Sequence, residues 1–434
     1  MTPVERLFAL ETFGIKLGLD AMRELLGALG NPHHAWPSLH VAGTNGKGSV
    51  SAMTERALRA AGLRTGRYTS PHLARVEERV ALGGEDIGPV EFAAAVARVF
   101  EAADRLVGGG RLPHSPTFFE VSTAAAFLAF AEAAVDVAVV EVGLGGRFDA
   151  TNVIVPVASA ITSIAFDHER HLGSTLTAIA LEKAGIAKRG VPLVVGEVPA
   201  EAWTAIAATA ETAGAPLIRA GDRVRVDAPM VKGHVRFTAE TPRARYGPVR
   251  LALAGAHQAH NALVAVRLLE TFAEAGGREV PAPAVEAGLS RTVWPARLEW
   301  LRRGPLRVLV DAAHNPAGAE ALASYLAMAR VPPVTLVTSV MADKDVPQVL
   351  GPLLPYACRV VTTEADSPRA TRAGDLAAMV AALAPAGTPV DAVCDPDTAV
   401  ARALTGGGPV LVAGSIYLVG PVRARLVSGG FEPA

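Results

Sequence analysis

The sequence predicts an α/β protein in two parts: an N-terminal P-loop-type domain on a mostly parallel sheet, and a smaller C-terminal Rossmann-like domain. Three observations predict it. A glycine-punctuated loop at 43–49 follows a short apolar strand, a valine-dominated run at 135–140 ends in Glu141 and glycines, and a strand-then-helix rhythm restarts beyond residue 297. Buried parallel strands read as near-continuous apolar runs, and strands alternating with helical stretches build doubly wound sheets. With 434 residues, half of them hydrophobic, the chain is long enough for two such cores.

The first element is the most informative. Residues 39 to 49 read Leu-His-Val-Ala-Gly-Thr-Asn-Gly-Lys-Gly-Ser. Backbone N–H groups of such a loop, the positive end of the following helix and the Lys47 ammonium converge on one point, which suits a polyphosphate. Thr44, Asn45, Gly46, Lys47, Gly48 and Ser49 are therefore the candidate nucleotide contacts. The spacing departs from the commonest phosphate-loop pattern: two residues separate Gly43 from Gly46, and a glycine stands between Lys47 and Ser49. Context carries the reading, because Leu39 to Val41 precede the loop and Val50, Met53, Ala57 and Leu58 follow it at helical spacing, with the helix expected from Ser49.

The valine run at 135–140 delivers Glu141 to the carboxyl end of a buried strand, where nucleotide-hydrolysing folds place a carboxylate that organises magnesium. Mg²⁺ demands oxygen ligands, and Ser49, Ser70 and Glu141 offer them. A further strand at 157–164 ends near Asp167-His168 and puts His168 on the same sheet edge. Leu176, Ile179, Ala180 and Lys183 fall at i, i+3, i+4 and i+7, which sets the Lys183 ammonium on the apolar face of a helix. A cation there must pair, lose its proton, be modified, or snorkel past its aliphatic neighbours.

Beyond residue 200 the stretch 224–250 alternates like short strands, and 255–274 resumes helical spacing. Residues 291–297 break the periodicity, which places a boundary near 296 and gives domains 1–296 and 297–434. Strands are expected at 307–310, 334–338, 359–363 and 410–413. The first ends in Asp311-Ala-Ala-His-Asn-Pro316, with Asn315 as a helix N-cap and Pro316 in the first turn, and the last ends in Gly414-Ser415, a loop suited to an anion.

Composition narrows the function. A formal charge of -1 and the absence of a long Lys/Arg run exclude a nucleic-acid footprint. The most apolar region, 124–140, is interrupted by Glu132 and Asp136, and no leader opens the chain, so a cytoplasmic protein with no membrane partner is expected. Cys358 and Cys394 lie outside any CxxC spacing and read as buried thiols or one disulfide. Only six of the 41 basic residues are lysine: Lys16, Lys47, Lys183, Lys188, Lys232 and Lys344. A lysine kept inside a motif of such an arginine-rich chain suggests chemistry that a guanidinium cannot do, and Lys47, Lys183 and Lys344 stand in such places.

Seven motifs occur in the order found in the folylpolyglutamate synthase and dihydrofolate synthase family of the Mur ligase superfamily, which the chain resembles over nearly its whole length. They are Gly43-Thr-Asn-Gly-Lys-Gly-Ser49, Thr69-Ser-Pro-His-Leu73, Glu141-Val-Gly-Leu-Gly-Gly146, Asp167-His168, Glu182-Lys-Ala-Gly-Ile186, Asp311-Ala-Ala-His-Asn-Pro316 and Gly414-Ser-Ile-Tyr-Leu-Val-Gly420. Alanine at 312 replaces a frequent family glycine.

The resemblance implies an ATP-dependent ligase that adds L-glutamate to a folate or dihydropteroate carboxylate through an acyl phosphate. It implies two Mg²⁺ sites held by Ser70, Glu141, His168 and a Lys183 that is N-carbamylated, beside Ser49, which the phosphate loop already offers as an oxygen ligand. Asn261, Arg297 and Asp311 match ATP-binding positions, while His314 and Ser415 match positions near the incoming glutamate. Thr117 and Phe119, with the pair Asp149-Ala150, resemble the dihydropteroate pocket of bifunctional members and favour a bifunctional enzyme. Lys344 falls near the site with no assigned role, and a monomer is expected. Three alternatives stand beside this reading. One is a folylpolyglutamate synthase alone. Another is a regulatory NTPase without amide synthesis. The third is a cell-wall Mur ligase, which needs a uridine-nucleotide domain where only 42 residues precede Gly43.

Overall fold

The computed structural model describes residues 1–10 and 18–434; Lys16 lies outside the described residues. The chain forms two compact units. One comprises residues 1–226, 238–249 and 260–292, and the other comprises 227–237, 250–259 and 293–434.

The first unit is built on an eight-stranded sheet of β1 (Ser38–Ala42), β2 (Thr65–Tyr68), β3 (Val80–Leu82), β4 (Glu85–Asp86), β5 (Val137–Glu141), β6 (Ala158–Ile161), β7 (Leu193–Val195) and β8 (Leu217–Arg219). The spatial order is β4-β3-β2-β5-β1-β6-β7-β8. Strand β1 lies in the middle, parallel to β5 and β6, with Val41 beside Glu141 on one side and Ala160 on the other. All its residues are buried, which is why it reads as apolar apart from Ser38 and His40. The edge strands β3 and β4 run antiparallel and were not anticipated, because they are too short and too polar to carry a buried-strand pattern.

Helices α1 (Pro3–Ala9), α2 (Asp20–Ala28), α3 (Lys47–Ala60), α4 (Pro89–Gly108), α5 (Phe118–Glu132), α6 (Glu169–Leu172), α7 (Leu176–Ala184), α8 (Ala200–Ala213), α9 (Gln258–Glu274) and α10 (Ala282–Arg291) clothe this sheet. Helix α5 is apolar on nearly every side because it is buried on nearly every side, with Phe127 and Phe130 fully enclosed beside Trp36. Helix α3 begins at Lys47, two residues before its anticipated start, because Gly46 turns the chain with φ 87°. The alternating stretch resolves into β9 (Arg225–Asp227), β10 (Met230–Val231), β11 (His234–Glu240) and β12 (Arg245–Arg250).

The second unit carries β13 (Glu299–Arg303), β14 (Leu306–Val310), β15 (Val334–Thr338), β16 (Ala357–Thr362), β17 (Val390–Ala392), β18 (Val410–Ala413) and β19 (Glu432–Pro433) in the order β17-β16-β15-β18-β14-β13-β19. Five of these strands, β14 to β18, are parallel, and β13 and β19 close one edge in antiparallel fashion. The expected strands are present; β13, β17 and β19 are additions at the rims, where exposure removes the apolar signature. Helices α11 (Pro316–Met328), α12 (Val346–Leu350), α13 (Ala373–Leu383), α14 (Pro396–Leu404) and α15 (Ile416–Ser428) provide the crossovers.

Cys358 and Cys394 correct an expectation, since both are free and exposed and so are neither buried nor joined. Cys358 sits on an outward position of β16, its Sγ 3.4 Å from the Val334 carbonyl oxygen. Among the described residues no helix is long and apolar enough to cross a membrane.

Candidate active site

The loop that leaves β1 is stitched to the end of β6. The Thr44 amide donates to the Ser163 carbonyl at 2.8 Å, the Asn45 amide to Ser163 Oγ at 3.0 Å, and Thr162 Oγ1 to the Asn45 carbonyl at 2.6 Å. Two glycines are required here by sterics. A Cβ at 43, where φ is 146°, would stand 1.9 Å from Thr162 Oγ1, and one at 46 would stand 2.3 Å from Asn261 Oδ1. Helix α9 therefore delivers Asn261 onto the loop from more than 200 residues away in sequence. The N-cap of α3 is Gly46, which has no side chain to satisfy the first-turn amides, a feature that suits an anion.

Two lysines meet at one carbonyl. Lys47 Nζ folds back to donate to the oxygens of Gly43 at 3.0 Å and Thr44 at 3.1 Å, and Lys183 Nζ donates to the same Gly43 oxygen at 2.9 Å. Lys183 is buried on the inner face of α7 together with Ile179 and Ala180, as the periodicity predicts. Burial, reinforced by the neighbouring Lys47 charge, lowers its pKa to about 7, against the opposing pull of Asp167 and Asp149.

The oxygen donors surround this point by strand connectivity. Glu141 is buried at the end of β5, one strand from the loop, and Ser49 is buried in the first turn of α3. Ser70 follows β2, and its Oγ is buried with no hydrogen-bond partner among the described residues. Such an orphaned hydroxyl, just past the end of β2, the neighbour of the strand that ends in Glu141, suits a hard divalent ion. His168 begins α6 with φ 51°; its imidazole is exposed and its Nε2 lies 3.9 Å from Asp167 Oδ1. Among the described residues no three His, Cys, Asp or Glu side chains gather as a ready metal cluster.

One contributor escaped the sequence reading. Arg67, in the middle of β2, is almost wholly buried, and burial lowers its pKa against the attraction of Glu55, Asp86 and Glu141. A lone arginine in a four-residue strand was its only signal.

The residues matched to a pterin pocket cluster at a second place in the same unit. Thr117 caps α5, its Oγ1 accepting from the Glu120 amide at 3.2 Å and donating to Glu120 Oε2 at 2.8 Å. The Phe119 ring lies 6.1 Å from that of Tyr68 and so close to Gly143 that a Cβ there would stand 2.5 Å from it. Asp149 is buried and its carboxylate is fully engaged: Oδ2 accepts from the Leu144 amide at 2.8 Å, and Oδ1 accepts from the Thr151 amide at 3.0 Å and from Thr151 Oγ1. Ala150 packs into the hydrophobic core.

In the second unit Asp311, at the end of β14, is buried, and burial raises its pKa against the attraction of Arg297. Its carboxylate accepts from the Leu298 amide at 2.8 Å and the Ala313 amide at 2.9 Å, which fixes the backbone on both sides of the Arg297 turn, where Ala296 and Leu298 both have positive φ. His314 Nδ1 donates to the Ala312 carbonyl at 2.8 Å. Ser415 caps α15 and Asn315 caps α11, the latter accepting from the Gly318 amide at 2.8 Å.

A nucleotide loop in a parallel sheet, two lysines on one carbonyl and a second Rossmann-like unit define a class, which the comparisons sharpen. Residues 41–269 match the Mur ligase middle domain, and residues 296–416 match the Mur ligase, glutamate ligase domain. The chain is thus an ATP-dependent amide-forming ligase of Mur type. It is 41% identical over 370 residues to the dihydrofolate synthase/folylpolyglutamate synthase of Mycobacterium tuberculosis, covering 81% of this chain and 75% of that one. The solved structure of M. tuberculosis folylpolyglutamate synthase complexed with ADP superposes with a TM-score of 0.90 at 34% identity, over 100% of both chains. E. coli FolC in complex with DHPP and ADP gives a TM-score of 0.87 at 30% identity, over 99% of this chain and 98% of that one. The chain belongs to the dihydrofolate synthase/folylpolyglutamate synthase family.

Proposed function

We propose that this ligase is bifunctional, joining L-glutamate both to dihydropteroate and to folates already carrying glutamate, as a monomer in the cytoplasm. The ATP-binding domain is taken as 1–296 and the ligase domain as 297–434. In this reading the acceptor carboxylate attacks the γ-phosphorus of ATP, giving an acyl phosphate and ADP. The neutral amine of glutamate then attacks the acyl carbon, expels phosphate and forms the amide.

Lys47 and the first-turn amides of α3 stabilise charge on the transferring phosphoryl group, and Asn261 orders the loop beside Gly46. Ser49, Ser70, Glu141, His168 and carbamylated Lys183 would hold two Mg²⁺, which when bound neutralise phosphate charge. Arg297 and Asp311 serve the nucleotide, His314 and Ser415 the incoming glutamate. Thr117, Phe119, Asp149 and Ala150 shape the pterin end.

The observation that carries this reading is the meeting of Lys47 and Lys183 on the Gly43 carbonyl, in a chain of this family. The test is phosphate release from ATP with glutamate and either dihydropteroate or tetrahydrofolate. Release is expected only when acceptor and glutamate are both present, and with either acceptor. Turnover indifferent to glutamate would overturn the ligase chemistry, and turnover with tetrahydrofolate alone would reduce the assignment to a folylpolyglutamate synthase.

Carbamylation adds its own expectation. The neutral Lys183 amine attacks CO₂ and releases a proton, so the reaction needs the unprotonated form, which prevails above pH 7. Removing CO₂ and bicarbonate is expected to lower activity more at pH 6 than at pH 8, with recovery on adding bicarbonate. Equal rates with and without bicarbonate at both pH values would remove the carbamate.

A further inference from the structure

His40 is the one titratable side chain inside the central strand β1, and it is fully buried. Its Nε2 lies 2.9 Å from Thr151 Oγ1, and its Nδ1 has no hydrogen-bond partner among the described residues. Thr151 Oγ1 in turn donates its single hydrogen to Asp149 Oδ1, so the hydroxyl accepts from His40 and the ring carries its hydrogen on Nε2. The other carboxylate oxygen of Asp149 holds the Leu144 amide. A continuous path thus runs from the middle of the sheet to the glycine-rich stretch 143–146.

That stretch is held from two further sides. Asn152 Nδ2 donates to the carbonyls of Arg147 and Gly185 at 3.0 Å each, and Lys188 Nζ donates to Asn152 Oδ1 at 2.7 Å. The Arg147 amide donates to the Glu182 carbonyl at 2.8 Å, which ties the turn to the end of α7. Packing alone would not call for a histidine at 40. Burial beside the Lys188 charge drives its pKa down to about 3, so it stays neutral and donates a single hydrogen in a fixed direction.

We propose that His40 and Thr151 are positioning residues for the acceptor substrate: through Asp149 they fix the 143–149 backbone against Phe119 and so set affinity for the pterin-bearing molecule, without touching ATP or glutamate. This rests on the pterin reading of Phe119 and Asp149 given above. His40 makes no covalent step; it acts by holding Thr151, which holds Asp149.

The test compares steady-state constants for dihydropteroate, tetrahydrofolate, ATP and glutamate. Thr151→Val keeps the shape and removes the hydroxyl; it is expected to raise KM for both acceptors about tenfold, with kcat and the KM values for ATP and glutamate within about twofold of wild type. Thr151→Ser and His40→Gln keep a hydroxyl or an Nε2 donor in the same place and are expected to stay near wild type. Unchanged acceptor KM in Thr151→Val, beside a working wild type, overturns the path alone. So does a fall in kcat shared with Thr151→Ser and accompanied by a lower melting temperature, which would mark a packing role. A wild type inert toward both acceptors would instead remove the pterin reading. Nitrogen chemical shifts of His40 provide a readout free of activity: an Nε2–H tautomer unchanged from pH 5 to 9 is expected, and an Nδ1–H tautomer would break the path as drawn.

Discussion

Lys183→Ala is expected to lower glutamate-dependent phosphate release by a factor of about 10²–10³, the range typical for losing a group that stabilises developing charge. Short carboxylic acids added to the variant are expected to restore part of the rate, because they supply the oxygen donors that the carbamate would have supplied. Full activity in the variant would remove the metal-holding role of this residue. Stability should move the other way. The amine is buried and its pKa falls from 10.5 to about 7, so between these values the unfolded chain binds a proton that the folded one does not. Wild-type stability therefore rises with pH across that window, and below pH 7 the burial penalty is fully present. In CO₂-free buffer at pH 6, Lys183→Met is expected to melt above wild type, by about 2–4 °C for each kcal/mol recovered, with the gap closing toward pH 10. The Gly43 carbonyl keeps Lys47 as a donor in that variant, so the change leaves no orphaned acceptor. A variant inactive yet more stable would be the signature of a residue retained for chemistry.

Gly46→Ala is expected to weaken ADP binding by a factor of about 10–100. Two effects add. Alanine at φ 87° costs on the order of 1–2 kcal/mol, and its Cβ would stand 2.3 Å from Asn261 Oδ1, so either the loop or the carboxamide must move. Because α3 begins immediately afterwards, movement of the loop misaims the helix amides at the phosphates. Calorimetry with ADP checks the affinity, and a double variant with Asn261→Ala separates the causes. Affinity that recovers in the double variant assigns the loss to the clash, and affinity that stays low assigns it to the backbone. Wild-type affinity in Gly46→Ala would mean that the loop conformation described here is not the one that binds nucleotide.

Much of the candidate site's local geometry was legible because its signals are local. The 43–49 loop announces itself by glycines between a strand and a helix, and Lys183 by its place at i+7 from Leu176. Asn315 and Pro316 read as a cap and a first turn, and the structure places them so. What stayed hidden depends on pairing across the chain. His40 is 111 residues from Thr151, and no spacing rule connects them. The bonds that the Asp149 oxygens accept from Leu144 and Thr151 are likewise a fact that only the folded turn reveals. Strands β13 and β19, the last two on one side of their sheet, lack the apolar run that marks β14 or β15, because most of their residues are only partly buried or exposed.

The 43–49 loop and Glu141 leave adjacent parallel strands locked in register at the centre of a sheet, whereas 143–153 lies outside the sheet and is secured by side-chain ties and a few short-range backbone hydrogen bonds. The two can therefore drift apart in evolution. On the proposed reading, a lineage or an engineer could retool the acceptor end by rewriting that stretch while the 43–49 loop stays untouched.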